Sequence, residues 1–118
     1  MIKRAGTYKQ RHYHLPTPDK HAVQNFIVTP GELESDVVYV SRSVIEKGFQ
    51  ITYHVHDEEV ELFSIVSGNA YYNDNQRIET EVHPGDSMYC PDHTGHSIGN
   101  FYDEDVVVIE MGYKLPTK

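Results

Sequence analysis

The pattern of apolar and polar positions changes at Val37. Before it the chain shows few apolar residues at any regular period, and the stretch around His14, Pro16 and Pro18 suits extended or partly disordered chain. After it, short β-branched and aromatic runs alternate with turn residues. Val37–Ile45 is one such run; Glu46, Lys47 and Gly48 make a turn; residues 49–55 alternate and residues 60–66 are apolar. Further short runs follow at 70–72, 76–82, 87–90, 96–98 and 106–111. They are separated by Ser67-Gly68-Asn69, Asn73-Asp74-Asn75, Pro84-Gly85-Asp86 and the loop 91–95. About eight or nine strands at this spacing predict an all-β fold, an antiparallel barrel or double-sheet jelly roll. No segment after Val37 sustains a 3.6-residue period, so helix content should be small.

Composition narrows the picture. A chain of 118 residues fits one domain, with residues 1–36 as an N-terminal arm and edge segment and residues 37–118 as the barrel. Only 38% of residues are hydrophobic, and a domain this small buries roughly two-thirds of its unfolded surface, so a bound metal or a partner subunit would help it hold together. A homodimer is the expected assembly. The net charge of -8 argues against nucleic acid and anionic membranes as partners. It is unevenly placed: Lys3, Arg4, Lys9, Arg11 and Lys20 face only Asp19 in the first 21 positions, so a basic arm should be drawn to an acidic body and could cross to a neighbouring subunit. No apolar stretch approaches the roughly 20 residues of a membrane span and no signal core follows the first charges, which gives a soluble, cytoplasmic expectation. The lone Cys90 excludes an internal disulfide and a cysteine-based zinc finger.

Eight histidines are the unusual part of the composition. His-x-His alone is weak, since the arm supplies a second copy at His12 and His14. On a strand, however, His54 and His56 would share a face with Cα atoms roughly 6.6 Å apart, so both imidazoles can converge on one metal. A hairpin through the acidic turn Asp57-Glu58-Glu59-Val60 would return Glu61 alongside them.

The spacing is more specific than the residue types. Gly48, five residues, His54, one residue, His56, four residues, Glu61, six residues and Gly68 reproduce the first motif of the cupin superfamily. Gly85, Pro91, His96 and Asn100 match the second, with His93 standing where that motif has glycine. From about Val37 to Met111 the chain resembles a small single-domain cupin. In pattern it is most similar to the oxalate-decarboxylase-like members. The resemblance implies a double-stranded β-helix jelly roll holding one divalent transition metal per chain on His54, His56, Glu61 and His96. His93 is left with two roles: a turn residue at a position that has to accept positive φ, or a group at the barrel mouth that takes part in chemistry.

Three imidazoles and a carboxylate suit manganese, iron, nickel, cobalt or zinc, and leave two positions open on an octahedral ion. Such a pair invites a bidentate small molecule: oxalate, a 2-oxo or 2-hydroxy acid, an enediol, or a substrate with dioxygen. Strand parity places Thr52, Phe63 and Ile65 on the ligand face, with Ile98 two residues beyond His96, giving an apolar wall. Phe63, Ile65, Ile98 and His93 are therefore the candidate substrate contacts. Plain barrel core is the competing role for the first three. Arg42 and Arg77 are the only arginines of the barrel region and neither has to point inward, which makes a highly charged substrate such as a sugar phosphate harder to accommodate unless Arg42 reaches it. Asp57, Glu58 and Glu59 belong to a tight turn facing solvent, and no lid sequence that would supply a catalytic acid is recognisable. The functional expectation is a metal-dependent dioxygenase, decarboxylase or isomerase acting on a small oxygenated acid or enediol. A non-catalytic sugar- or carboxylate-sensing cupin is the alternative, and a metal-free scaffold is disfavoured by the complete ligand set.

Overall fold

The computed structural model describes residues 1–13, 21–75 and 78–115. These residues form strands β1 (Lys9–Tyr13), β2 (Ala22–Val28), β3 (Val37–Ile45), β4 (Gln50–Val55) and β5 (Glu59–Ser67). Then come β6 (Ala70–Asn73), β7 (Glu79–Val82), β8 (Ser87–Cys90), β9 (Gly95–Gly99) and β10 (Val106–Lys114), with no helix among them. Accordingly, no helix is long and apolar enough to cross a membrane. One sheet has the order β1-β2-β3-β10-β5-β8 and the other β4-β9-β6-β7, all antiparallel. This is the two-sheet jelly roll that the strand spacing predicts.

Alternation decides which side chains meet between the sheets. On β3 the buried positions are Tyr39, Ser41, Ser43 and Ile45; on β10 they are Val106, Val108, Glu110 and Gly112. Ile45, Phe49, Ile65, Met88, Val106 and Val108 pack with Tyr72, Val82 and Ile98 of the opposite sheet into one apolar core. The inward face of β3 and β10 is therefore apolar at one end and polar at the other, and the functional site lies at the polar end.

The described part of the N-terminal segment forms the edge of a sheet. Lys9–Tyr13 pairs with Ala22–Val28, which pairs with β3, so the described part of residues 1–36 is built into the six-stranded sheet. Lys3 reaches Glu32 at 2.7 Å and donates to the Ile27 carbonyl, tying the first residues to the chain that follows β2. His14, Pro16 and Pro18 lie outside the described residues.

Two motif residues have roles in the frame. Gly68 turns the chain from β5 to β6 at φ 78°, where a Cβ would stand 2.5 Å from the Asp105 carbonyl oxygen. Only glycine meets both conditions. Asn100 is fully buried: its amide donates to the carbonyls of Ile45 and Glu104 and its side-chain oxygen accepts from the Tyr102 N–H. Its backbone carbonyl accepts from Gly48 and its N–H donates to Phe49, so it fastens the end of the second motif to the start of the first.

Candidate metal centre

His54 and His96 sit directly opposite each other on β4 and β9. Gln50 and Ile51 pair with Gly99 and Ile98, but His54 pairs with His96, so β4 carries one extra residue between Ile51 and His54. That bulge changes the parity of the strand. Phe49 and Ile51 turn toward the core before it, and His54 and His56 turn inward after it. Glu61 comes from the other sheet, where it lies between Cys90 of β8 and Gly112 of β10. The expected hairpin ladder beside β4 is thus replaced by a carboxylate reaching across the space between the sheets.

The four groups converge: one ligand atom from each of His54, His56, Glu61 and His96 lies within 4.8 Å of all the others. His54 Nδ1–H donates to the Thr52 carbonyl at 2.8 Å, which leaves the Nε2 lone pair facing inward. His96 Nδ1 meets the Tyr72 hydroxyl at 3.2 Å, and with that nitrogen protonated its Nε2 also faces inward, 3.0 Å from His54 Nε2 and 3.1 Å from Glu61 Oε1. Outer hydrogen bonds of this kind set the tautomer and aim the ring of a metal-binding histidine. His56 Nε2 and Glu61 Oε1 are in close contact, yet both are buried without a hydrogen bond. Facing lone pairs and orphaned buried polar atoms are costly unless a cation lies among them. The residues fit a divalent transition metal.

Electrostatics favour the same conclusion. Burial pushes the Glu61 carboxyl up, but the close His96 imidazole, the Tyr39 hydrogen bond and the neighbouring His56 outweigh it, so the group is held ionised below the usual carboxylate range. Burial also holds His54 neutral by lowering its pKa, against the Thr52 carbonyl, which raises it. Tyr39 donates to Glu61 Oε2, and burial together with the Glu61 charge pushes its hydroxyl far up, so it stays a donor.

The centre forms one wall of a cavity of about 470 Å³. Thr52, Phe63 and Ile98 line it as parity predicts, and the Phe63 ring packs against His96 with centroids 5.0 Å apart. Two candidate contacts are not on it. Ile65 is fully buried in the apolar core. His93 is exposed on the turn between β8 and β9, with Nδ1 2.8 Å from Asp57 and Nε2 3.0 Å from Asp92. Its φ of 59° is the positive value demanded by the motif's glycine position. His93→Gly should therefore alter stability by less than about 1 kcal/mol, as relief of backbone strain offsets two exposed contacts, and should leave bound metal per chain unchanged by elemental analysis.

Several lining residues were not singled out from sequence. Arg11 and Tyr13 of β1, Gln24 of β2, Tyr39 of β3 and Glu110 of β10 all face the cavity. Arg42 is exposed on β3, whereas Arg11 comes from the segment read as an arm and lies with its guanidinium carbon 4.6 Å from the Tyr13 ring centroid. Glu59, assigned to a solvent-facing turn, also lines the cavity, and burial followed by repulsion from Glu61 raises its pKa. Glu110 is buried, 8% exposed, and burial pushes its pKa up to about 7 against a Ser43 hydrogen bond that lowers it. Its inward parity with Val106 and Val108 is the signal that could have marked it. His21 and His83 lie on the surface beside Glu46 and Glu81.

A jelly roll with inward imidazoles and a carboxylate on facing sheets defines a barrel-type protein with a side-chain cluster that could hold a metal ion. The Cupin domain model matches residues 41–112, and the chain belongs to that family. A predicted oxalate decarboxylase of Thermotoga maritima superposes with a TM-score of 0.86 at 17% identity, covering 98% of this chain and 100% of that one. A cupin-superfamily sugar phosphate isomerase of Silicibacter pomeroyi gives 0.76 at 20% identity, over 98% of this chain and 77% of that one. KdgF of a Halomonas species gives 0.70 at 16% identity, over 94% and 93%. At these identities the likeness is one of fold. No curated protein sequence matches the chain.

Proposed function

We propose that the chain is a metal-dependent enzyme acting on a small oxygenated organic acid or enediol, in the dioxygenase, decarboxylase or isomerase class. The observation that carries this reading is the convergence of His54, His56, Glu61 and His96 on the wall of a cavity large enough for such a molecule. A divalent metal held there supplies Lewis acidity toward a carbonyl or carboxylate oxygen, or redox chemistry if it is manganese or iron. The chain's own residues add the rest. Phe63 and Ile98 shield one side from water, Tyr39 and Tyr72 hold the ligands in orientation, and Arg11 is the single basic side chain lining the cavity among the described residues.

That lone cation favours an acid with a second anionic group remote from the ligands. The test is binding and turnover by manganese-reconstituted protein with oxalate, 2-oxoglutarate and dihydroxyacetone, followed by calorimetry and mass spectrometry. Arg11→Ala should weaken 2-oxoglutarate about tenfold or more, the worth of a charge-assisted hydrogen bond, while oxalate is bound as before. Binding of none of the three would overturn the reading, and binding without product from any would leave a sensing cupin in its place.

A further inference from the structure

Any chemistry that moves a proton at a substrate carbon needs a group in the cavity that can both take and give one. Most candidates there are already committed. The three imidazoles and Glu61 face one another as ligands. Tyr39 is bound to Glu61 and Tyr72 to His96, and burial raises both hydroxyls well above their usual range. Arg11 does not titrate near neutrality. Glu59 stands at the start of β5, only partly buried and opposite Lys114.

Glu110 differs from all of these. It stands in the middle of β10, opposite Ser41 of β3 and Phe63 of β5, and its side chain faces the cavity. Phe63 is the ring that packs on His96, so one side chain separates Glu110 from a ligand. The polar and titratable groups facing this region include Arg11 and Tyr13 from β1, Gln24 from β2, Tyr39 from β3 and Glu59 and Glu61 from β5, with the three histidines across the cavity. Among the described residues no basic side chain forms an ion pair with Glu110, and its hydrogen-bond partner is the neutral Ser43 hydroxyl. A buried carboxyl without a cationic partner costs stability, and glutamine would satisfy Ser43 equally well. Groups placed at such cost in a cavity mark functional sites.

We propose that Glu110 is the proton-transferring residue of this site, exchanging a proton with the substrate carbon next to the carbonyl. As the C–H bond breaks, its electron pair forms the C=C bond of an enolate, the carbonyl oxygen takes up the charge, and the proton forms an O–H bond on Glu110. Return of that proton to carbon restores the carboxylate, so no oxidant or reductant is consumed. The inference rests on the reading of the cavity as a site for a small oxygenated acid.

The test uses manganese-reconstituted protein in heavy water with 2-oxoglutarate, reading deuterium gained at C3 by mass spectrometry and binding by calorimetry. Glu110→Gln should bind metal and 2-oxoglutarate as the parent does but exchange at least about 100-fold more slowly. Glu110→Asp, which keeps the acid one methylene further back, should recover part of the rate; elemental analysis of both variants shows that the centre is intact. Equal exchange by parent and Glu110→Gln, or no exchange by the parent above manganese alone despite binding, overturns the role of Glu110 and leaves the acid-site reading standing. Failure of the parent to bind 2-oxoglutarate overturns the role of Glu110, and failure to bind oxalate and dihydroxyacetone as well overturns both.

Discussion

Glu61→Gln will lose bound divalent metal, from about one per chain to well below one by elemental analysis, and with it the metal-dependent rise in melting temperature. The substitution keeps the side chain's shape and an oxygen for the Tyr39 hydroxyl, so its effect reports on charge at the centre and on little else. In the parent, metal at about 100 times its dissociation constant stabilises the folded state by about 2.7 kcal/mol. For a chain of this size that is a shift of about 10 °C, which a chelator should reverse. His96→Ala would lose metal too, but it also removes a buried ring packed on Phe63 and takes one hydrogen-bond partner from the Tyr72 hydroxyl. Its instability would mix two causes. Unchanged metal content in Glu61→Gln would remove the carboxylate from the ligand set.

How these ligands reach one another shows what sequence pattern can carry. The pattern of β-branched runs places β3 and β8 at their observed bounds and most of β4, β5, β6 and β9 within a residue or two. In each, local propensity and burial agree. β1 and β2 escape because they do not show that agreement. β1 is a largely exposed edge strand of polar residues, and β2 places Gln24 inward, where it donates to Ser41 and accepts from Tyr13. Their strand character comes from pairing, β1 with β2 and β2 with β3, which is long-range information. Arg11 was missed for the same reason: without β1 in the sheet, nothing brings it to the cavity.

The convergence of His54, His56, Glu61 and His96 was legible because motif spacing survives where local geometry does not. His54 and His56 were assigned one face by simple alternation, and they do share one, but only after the bulge that separates them from Ile51. Glu61 was expected on a neighbouring strand and arrives from the opposite sheet. Parity failed differently for Ile65, whose face is right but whose depth along β5 puts it in the apolar end of the barrel. Alternation tells which way a residue points and not how far along the barrel axis it sits. Glu110 shows the converse: it alternates with the apolar Val106 and Val108, and a charge on their face was the signal that went unused.

In metal-free protein, Glu110→Gln will be more stable than the parent at pH 8 by roughly 3 kcal/mol, and by much less at pH 5. The sign follows from the direction of the shift. Burial raises the folded-state pKa to about 7 from an ordinary 4.5. Below the ordinary value both states carry the proton and the carboxyl costs nothing extra. As pH rises, the unfolded chain ionises first, so unfolding is increasingly favoured until the folded group ionises as well and the penalty levels off. Glutamine does not titrate and escapes that loss, while it can still pair with Ser43. Urea denaturation of both proteins across this pH range measures the difference, and a gap independent of pH would mean that Glu110 titrates as an exposed carboxyl does. A variant that gains stability while losing proton exchange would place Glu110 among residues whose chemistry and stability pull in opposite directions, as buried acids in catalytic cavities do.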